Sequence, residues 1–110
     1  MELKDGWRVQ TELKCVEGWV SIHTEYWRRN GDGITFTYSE ENGFASDDSD
    51  TDFEVGDLRN PAWYKDEKVI QILKDSGIKF DDFDGLVKDI QSVDDLYIFG
   101  KALYEIDQLF

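Results

Sequence analysis

The sequence has only one cysteine, one histidine and one proline among its 110 residues. Because Cys15 has no second cysteine to pair with, an internal disulfide framework is excluded and a reducing compartment is favoured. One His and one Cys also leave little material for a His-based catalytic dyad and none for a Cys/His metal cage. We therefore expect no catalytic residues, no metal site and no cofactor.

Long apolar runs are missing too. No stretch approaches the ~18 residues that a membrane helix needs, and the first five residues lack the basic and then apolar pattern of a signal peptide. We therefore expect a soluble, cytoplasmic protein. The length predicts one domain over residues 1–110, and an aromatic content of 15% predicts that this domain folds rather than staying a disordered acidic tail.

Positive charge is absent from the middle of the chain. Nine acidic residues and no Lys or Arg lie between Arg29 and Arg59, and this quarter of the chain supplies −9 of the formal net charge of −13. The density is highest in residues 47 to 57, which hold six carboxylates. Such a field repels nucleic acid and anionic membranes and attracts cationic surfaces.

Alternating apolar and polar residues predict strands in the first half. The alternation covers residues 7 to 15, 20 to 26 and 34 to 38, and a short fourth strand starts at residues 44 and 45. Residues 30 to 33 (NGDG) and 42 to 43 (NG) are hairpin signals. The first half is therefore predicted to be an antiparallel meander.

A helix is predicted near the start of the second half. Asn60 suits an N-cap and Pro61 a first helical position, so the helix is expected over about residues 62 to 75. Gly77 is placed to cap its C-terminus. The residues expected to face inward are Val69, Ile70 and Leu73.

The rest of the chain completes an α+β prediction. Residues 78 to 90 are consistent with a short hairpin, and Ser92 begins an amphipathic helix in which Gly100 permits close packing. The acidic stretch is predicted to be a loop or a short, marginal helix, with weak anchors at Phe53, Val55 and Leu58. The predicted fold is an antiparallel β-meander of three to five strands packed against two C-terminal helices.

Three short motifs carry a resemblance to a known family. They are residues 20 to 24 (VSIHT), 33 to 36 (GITF) and 44 to 48 (FASDD). Their order resembles a small, uncharacterised bacterial and phage family, over roughly residues 19 to 110. The resemblance implies a meander, a Ser-Asp-Asp turn and C-terminal helices, but no activity. The family turn is usually completed by Gly, and Ser49 stands in that place here.

Two metal-dependent alternatives follow from the carboxylates. Asp48, Asp50 and Asp52 have the spacing of a calcium loop, but its sixth and twelfth positions hold Phe53 and Arg59 instead of Gly and Glu. A regular EF-hand is therefore excluded, and an irregular Ca²⁺-binding module stays open.

A metal-dependent nuclease is the enzyme alternative. Asp57 with Glu67 and Lys68 resembles a carboxylate/Lys site. Adjacent residues on a helix do not face one another, and the negative field disfavours a nucleic-acid substrate.

The charge itself gives the leading hypothesis. Rows of carboxylates can occupy the basic groove of a nucleic-acid-binding protein, so we expect a non-enzymatic inhibitor that acts by DNA or RNA mimicry. Its partner would be a basic nucleic-acid-processing enzyme or nuclease. In size and charge the chain is similar to phage anti-CRISPR and anti-restriction proteins. The alternative is an immunity protein or antitoxin that neutralises a cationic nuclease toxin.

The residues expected to contact the partner form acidic groups and aromatic anchors. They are Asp47, Asp48, Asp50, Asp52, Glu54 and Asp57, then Asp81, Asp82 and Asp84, and as exposed aromatic anchors Trp27, Trp63 and Tyr64. Asn at positions 47, 48, 50 and 52 is expected to abolish binding and leave the fold intact. The apolar end at Leu109 and Phe110 suits a homodimer as well as a core.

Overall fold

The computed structural model describes residues 1–10, 18–81 and 84–110. The strands are β1 (Arg8–Gln10), β2 (Val20–Trp27), β3 (Gly33–Ser39), β4 (Phe44–Ser46), β5 (Ile78–Asp81) and β6 (Gly85–Asp89). The helices are a short π-helix (Asp52–Asp57), a 3-10 turn (Trp63–Lys65), α1 (Glu67–Ser76) and α2 (Val93–Gln108). The first predicted strand is observed as β1, and its continuation into residues 11 to 15 lies outside the described residues.

The described strands form one antiparallel sheet in the order β1-β2-β3-β4-β6-β5. The first four strands follow chain order, so the predicted meander and the α+β class are confirmed. The β5–β6 hairpin returns to β4, with Phe44 opposite Asp89 and Ser46 opposite Val87. Without this pairing β4 would be an open edge of the sheet. With it the described sheet has six strands, one more than expected.

The core lies between one face of the sheet and α2. Ile22 and Phe36 from the sheet meet Leu96, Phe99 and Leu103 from the helix, all at most 3% exposed. Phe36 and Phe99 pack edge to face with ring centroids 4.9 Å apart. Buried apolar area contributes about 25 cal/mol per Å², so this contact stabilises the packing of α2 on the sheet.

Gly100 is required where α2 meets the first strands. A Cβ at this position would collide with the ring of Trp7 and lie 3.0 Å from Thr24 Cγ2. Trp7 is buried and packs edge to face against Tyr26 and Tyr97. The prediction that Gly100 permits close packing is therefore confirmed.

Helix α1 starts five residues later than predicted. The Asp66 carboxylate caps it by accepting hydrogen bonds from the second and third helical N–H groups, at 2.8 and 3.3 Å. The Asn60 side chain instead forms an Asx turn just before the 3-10 turn, accepting from the Ala62 N–H at 3.1 Å. Both sites have a good capping residue, and tertiary packing decides between them.

The end and the inner face of α1 follow the prediction in part. Gly77 has a φ of +66° and caps the C-terminus as predicted. Val69 is buried as expected, but Ile70 is 50% exposed and Ile72 packs against the core instead, so the inward assignment of Ile70 was wrong.

Among the described residues, none of the helices has the length and apolar character that a membrane-spanning helix needs.

Candidate protein-binding surface

Two arginines near the ends of the stretch without positive charge meet at one buried carboxylate. Arg28 lies two residues before the stretch and Arg59 directly follows it. Arg28 Nη1 lies 3.2 Å and Arg59 Nη2 lies 2.6 Å from Asp107 Oδ1, in the last turn of α2. The Asp107 side chain is fully buried and that of Arg28 is 1% exposed. Because buried charges are costly unless they are paired, this contact fixes both ends of residues 30 to 58.

Further bonds complete the network. The second oxygen of Asp107 accepts the Arg29 N–H at 2.8 Å, and its backbone carbonyl accepts Arg59 Nη1 at 3.0 Å. Arg28 Nη2 also contacts Asp50 Oδ2 at 2.8 Å. Two guanidinium groups thus face two carboxylates, so the network is neutral and most of its polar atoms are satisfied. Guanidinium groups near a helix C-terminus also interact favourably with the helix dipole.

Asp47 is internal, which corrects its assignment to the partner-binding surface. It is 2% exposed and accepts backbone N–H bonds from Ser49 at 3.0 Å, Thr51 at 3.1 Å and Leu86 at 2.9 Å. Burial raises the pKa of its carboxyl, and these hydrogen bonds counteract part of that rise. Asp47 therefore joins the turn after β4 to the start of β6 and is not available to a partner.

The same junction brings two predicted acidic groups together. Ser46 Oγ donates to the Asp84 carbonyl at 2.6 Å and accepts the Asp48 N–H at 3.0 Å. Partial burial raises the pKa of the Asp48 carboxyl, a hydrogen bond with Thr37 opposes the rise, and the nearby carboxylates of Asp84 and Asp50 add to it. Asp48 and Asp84, 36 positions apart in sequence, are thus neighbours on one surface.

Ser49 occupies a conformation that favours glycine. Its φ is +63°, next to Asp48 at +54°. A left-handed conformation costs an L-residue about 1–2 kcal/mol, and Asp tolerates it better than Ser. Ser49 therefore stands where the backbone conformation favours glycine, which is the residue that the resembling family usually has at this position.

The acidic stretch contains a short π-helix, the second of the two alternatives that the sequence predicted. The Asn60 N–H donates to the Val55 carbonyl five residues earlier, at 2.7 Å, and Val55 is fully buried. Gly56 lets the turn approach the indole of Trp63, since a Cβ there would lie 2.9 Å from Nε1. The indole N–H donates to Asp52 Oδ1 at 2.9 Å.

Trp63 is therefore not an exposed anchor, and that expectation was wrong. It is 0% exposed, and its one polar atom is used by Asp52. Asn substitutions at 47, 48, 50 and 52 would also remove three structural carboxylates. We therefore now predict that this variant loses stability as well as partner binding.

Two apolar side chains of the π-helix region point to solvent. Phe53 is 54% and Leu58 is 63% exposed, so of the three expected anchors only Val55 is buried. Both lie in the segment that also carries the exposed residue Asp57. Sequence reasoning missed Phe53 and Leu58 as surface residues because a π-helix follows neither the period of a strand nor that of an α-helix.

The turn between β2 and β3 adds a further carboxylate beside the π-helix. Asn30 Nδ2 donates to Glu54 Oε2 at 2.9 Å and to Asp32 Oδ2 at 3.3 Å. The β2–β3 turn is thus connected to the π-helix, which places Asp32 close to Glu54. Its place was not predicted because the contact crosses 24 residues of sequence.

The aromatic residues divide between two places. Tyr64 is 46% exposed, as expected, and its ring centroid lies 6.1 Å from that of Phe80, which is 47% exposed. Phe80 was missed because it shares a strand face with the buried Ile78 and is open only because β5 is an edge strand. Trp27 is 65% exposed, as expected, at the end of β2.

The β5–β6 turn is only partly described. Asp81 Oδ1 accepts the Asp84 N–H at 3.0 Å, which fixes the turn. Asp82 lies outside the described residues. Within the ranges 1–10, 18–81 and 84–110, no group of three His, Cys, Asp or Glu side chains is arranged to hold a metal ion.

We define the candidate surface by its outward carboxylates and apolar side chains. They are Asp32, Asp48, Glu54, Asp57 and Asp84, with Phe53 and Leu58. Comparisons with protein-family models, curated proteins and solved structures gave no match. The family resemblance therefore rests on its quoted residues alone.

Proposed function

We propose that this chain is a non-enzymatic inhibitor that occupies the basic nucleic-acid-binding surface of another protein, as a mimic of DNA or RNA. The observation that carries the proposal is the Arg28–Asp107–Arg59 network, which fixes both ends of the segment bearing the outward carboxylates. A fixed segment loses little conformational entropy on binding, so more of the electrostatic attraction remains as affinity. A mimic of the regularly spaced phosphates of DNA or RNA also needs its carboxylates at fixed positions.

The net charge of the chain predicts the sign of the charge on the partner's surface. At −13 the chain would be steered towards a cationic surface and away from nucleic acid itself. The proposed partner is a nuclease or another nucleic-acid-processing protein. The single cysteine is compatible with an encounter in the reducing cytoplasm.

The exposed Phe53 and Leu58 favour a second candidate, an immunity protein or antitoxin for a cationic nuclease. Apolar anchors surrounded by charge are typical of protein–protein hot spots, whereas a phosphate mimic needs only charge. The two candidates differ in salt dependence, because apolar contacts persist when charges are screened. Binding that persists at high salt and requires Phe53 and Leu58 would favour the immunity-type partner.

The experiment is affinity capture from the lysate of the native host, with proteins identified by mass spectrometry at low and high salt. The test variant is Asp48→Asn/Asp57→Asn/Asp84→Asn, which removes three outward charges and keeps the structural carboxylates. The control is Glu40→Gln/Asp89→Asn/Glu105→Gln, which makes the same charge change at exposed positions elsewhere.

The proposal predicts capture of a nucleic-acid-processing protein by the wild type and the control but not by the test variant. Adding duplex DNA or RNA should release that protein, because the two would compete for one basic surface. Equal capture by both variants, or capture that nucleic acid does not affect, would contradict the mimic proposal. Titration with Ca²⁺, Mg²⁺ and Mn²⁺ tests the metal-dependent alternatives through a change in melting temperature.

A further inference from the structure

An open groove of about 470 Å³ lies where β1, β2 and β3 run side by side. Its lining includes Arg8, His23, Trp27, Gly33 and Thr35. This volume is within the range of small-molecule sites, about 300–1,000 Å³. The groove involves none of the residues that define the acidic candidate surface.

Strand register places polar side chains in one row across the groove. Arg8 is paired with His23, and His23 is paired with Thr35 on the next strand. Directly opposed residues project from the same face of a sheet and are neighbours there. The row therefore presents the exposed guanidinium of Arg8 to a ligand, with the His23 and Thr35 side chains next to it on the same face.

Trp27 forms the other end of the groove. The pairing of β2 with β3 is irregular between His23 and Trp27, where the strand departs from the regular ladder. The indole lies over Gly33, since a Cβ there would be 3.8 Å from Trp27 Cζ3. With Trp27 65% exposed, the indole has open surface on which a planar group can stack.

The charge of the groove is unlike that of the rest of the chain. None of the described residues that line it carries a carboxylate, although the sequence has 25 acidic residues. The nearby Glu25 carboxylate is held by Lys4 at 3.4 Å and by the Trp7 indole N–H at 3.2 Å. Arg8 forms no ion pair with the described residues. An exposed Trp alone needs no ligand, but an exposed guanidinium in the same groove as a stacking surface is a combination that can bind one.

We propose that this groove binds a small anionic aromatic ligand of the nucleoside-monophosphate class. The base stacks on Trp27, and the phosphate lies against Arg8 beside His23. Stacking on an aromatic side chain is tolerant of base identity, so the groove discriminates by charge more than by base. A free nucleotide is favoured over a nucleic-acid strand because the net charge of −13 repels a polyanion.

The test is calorimetric titration with AMP, adenosine and inorganic phosphate, supported by tryptophan fluorescence. AMP should bind saturably, with adenosine and phosphate each about tenfold weaker or more. Arg8→Gln should weaken AMP about tenfold and leave adenosine unchanged, whereas Trp27→Ala should weaken both. Arg29→Gln, which removes an exposed guanidinium outside the groove, should bind AMP like the wild type.

Circular dichroism checks that each variant is folded, which is expected because Arg8 and Trp27 are exposed. Absence of saturable AMP binding at millimolar concentration would overturn the proposal. So would unchanged AMP affinity in both groove variants, or tighter binding of a 5′-phosphorylated oligonucleotide than of AMP.

Discussion

Replacing Asp107 with Asn removes the charge on which Arg28 and Arg59 converge. Both guanidinium groups lie within 3.2 Å of one Asp107 oxygen, and the Asp107 side chain is fully buried. Removing one partner of a buried ion pair costs about 3–5 kcal/mol, because the remaining charge is left without compensation. Arg59 is 20% exposed and Arg28 retains Asp50, so the lower end of that range is expected.

A loss of about 3 kcal/mol corresponds to a fall in melting temperature of roughly 12 °C or more, since each kcal/mol shifts a domain of this size by about 4–8 °C. Urea denaturation followed by circular dichroism at pH 7 gives the free energy of unfolding. The control Glu105→Gln lies on the same helix and is exposed, so it should change stability by no more than about 0.5 kcal/mol.

A loss below about 1 kcal/mol in Asp107→Asn would contradict this prediction. It would mean that the guanidinium groups find other partners or water, and that the network does not hold the acidic segment. A double-mutant cycle with Arg59→Met separates the pair from the rest of the network, and contacting residues should show a coupling of about 0.5–3 kcal/mol.

Three further predictions concern the same region. Ser49→Gly should stabilise the protein by about 0.5–1 kcal/mol, because the left-handed strain that it relieves exceeds the added entropy of the unfolded chain; an unchanged or lower urea midpoint would contradict this. Gly56→Ala should destabilise by about 1–3 kcal/mol, because the new Cβ would lie 2.7 Å from Asp52 Oδ1 and 2.9 Å from Trp63 Nε1; a wild-type melting curve would show that the turn can move aside. The folded-state pKa of Asp48 is raised, so its charge costs stability at neutral pH and that cost disappears as pH falls through the raised pKa. Thermal melts should therefore show stability rising below pH 7, and less so in Asp48→Asn, whereas equal pH profiles would contradict the assignment.

Local patterns predicted the regular parts of the fold. Strands β2 and β3 have clear period-two alternation between glycine-containing turns, and α2 has apolar residues at helical spacing behind Ser92. These signals depend on neighbours within a few residues, so they can be seen without a structure. The start of α1 was misplaced because Asn60 and Asp66 both suit a cap, and only packing selects between them.

The candidate surface was less predictable because long-range contacts determine it. Asp47 lies in a dense acidic run, yet its partner Leu86 is 39 residues away. Arg28 and Asp107 are 79 residues apart. Whether a carboxylate is a structural acceptor or an outward charge depends on such contacts, and residues 47 to 57 contain both kinds.

The dense acidic run in the sequence is therefore not one row of outward charges in the folded protein. Asp47 accepts backbone N–H groups, Asp50 pairs with Arg28 and Asp52 accepts an indole N–H. The outward charge comes instead from three chain segments that the fold brings together. The proposed mimicry of nucleic acid therefore concerns that composite surface and not the linear run of Asp residues.

We propose that this composite surface binds a basic protein partner through its outward carboxylates. The most direct measurement is the affinity of the captured partner as a function of salt concentration, for the wild type and for Asp48→Asn/Asp57→Asn/Asp84→Asn. We predict that the variant binds more weakly and that its logarithmic affinity depends less steeply on salt, while Glu40→Gln/Asp89→Asn/Glu105→Gln retains the wild-type slope. The same affinity and the same slope in all three proteins would contradict the claim.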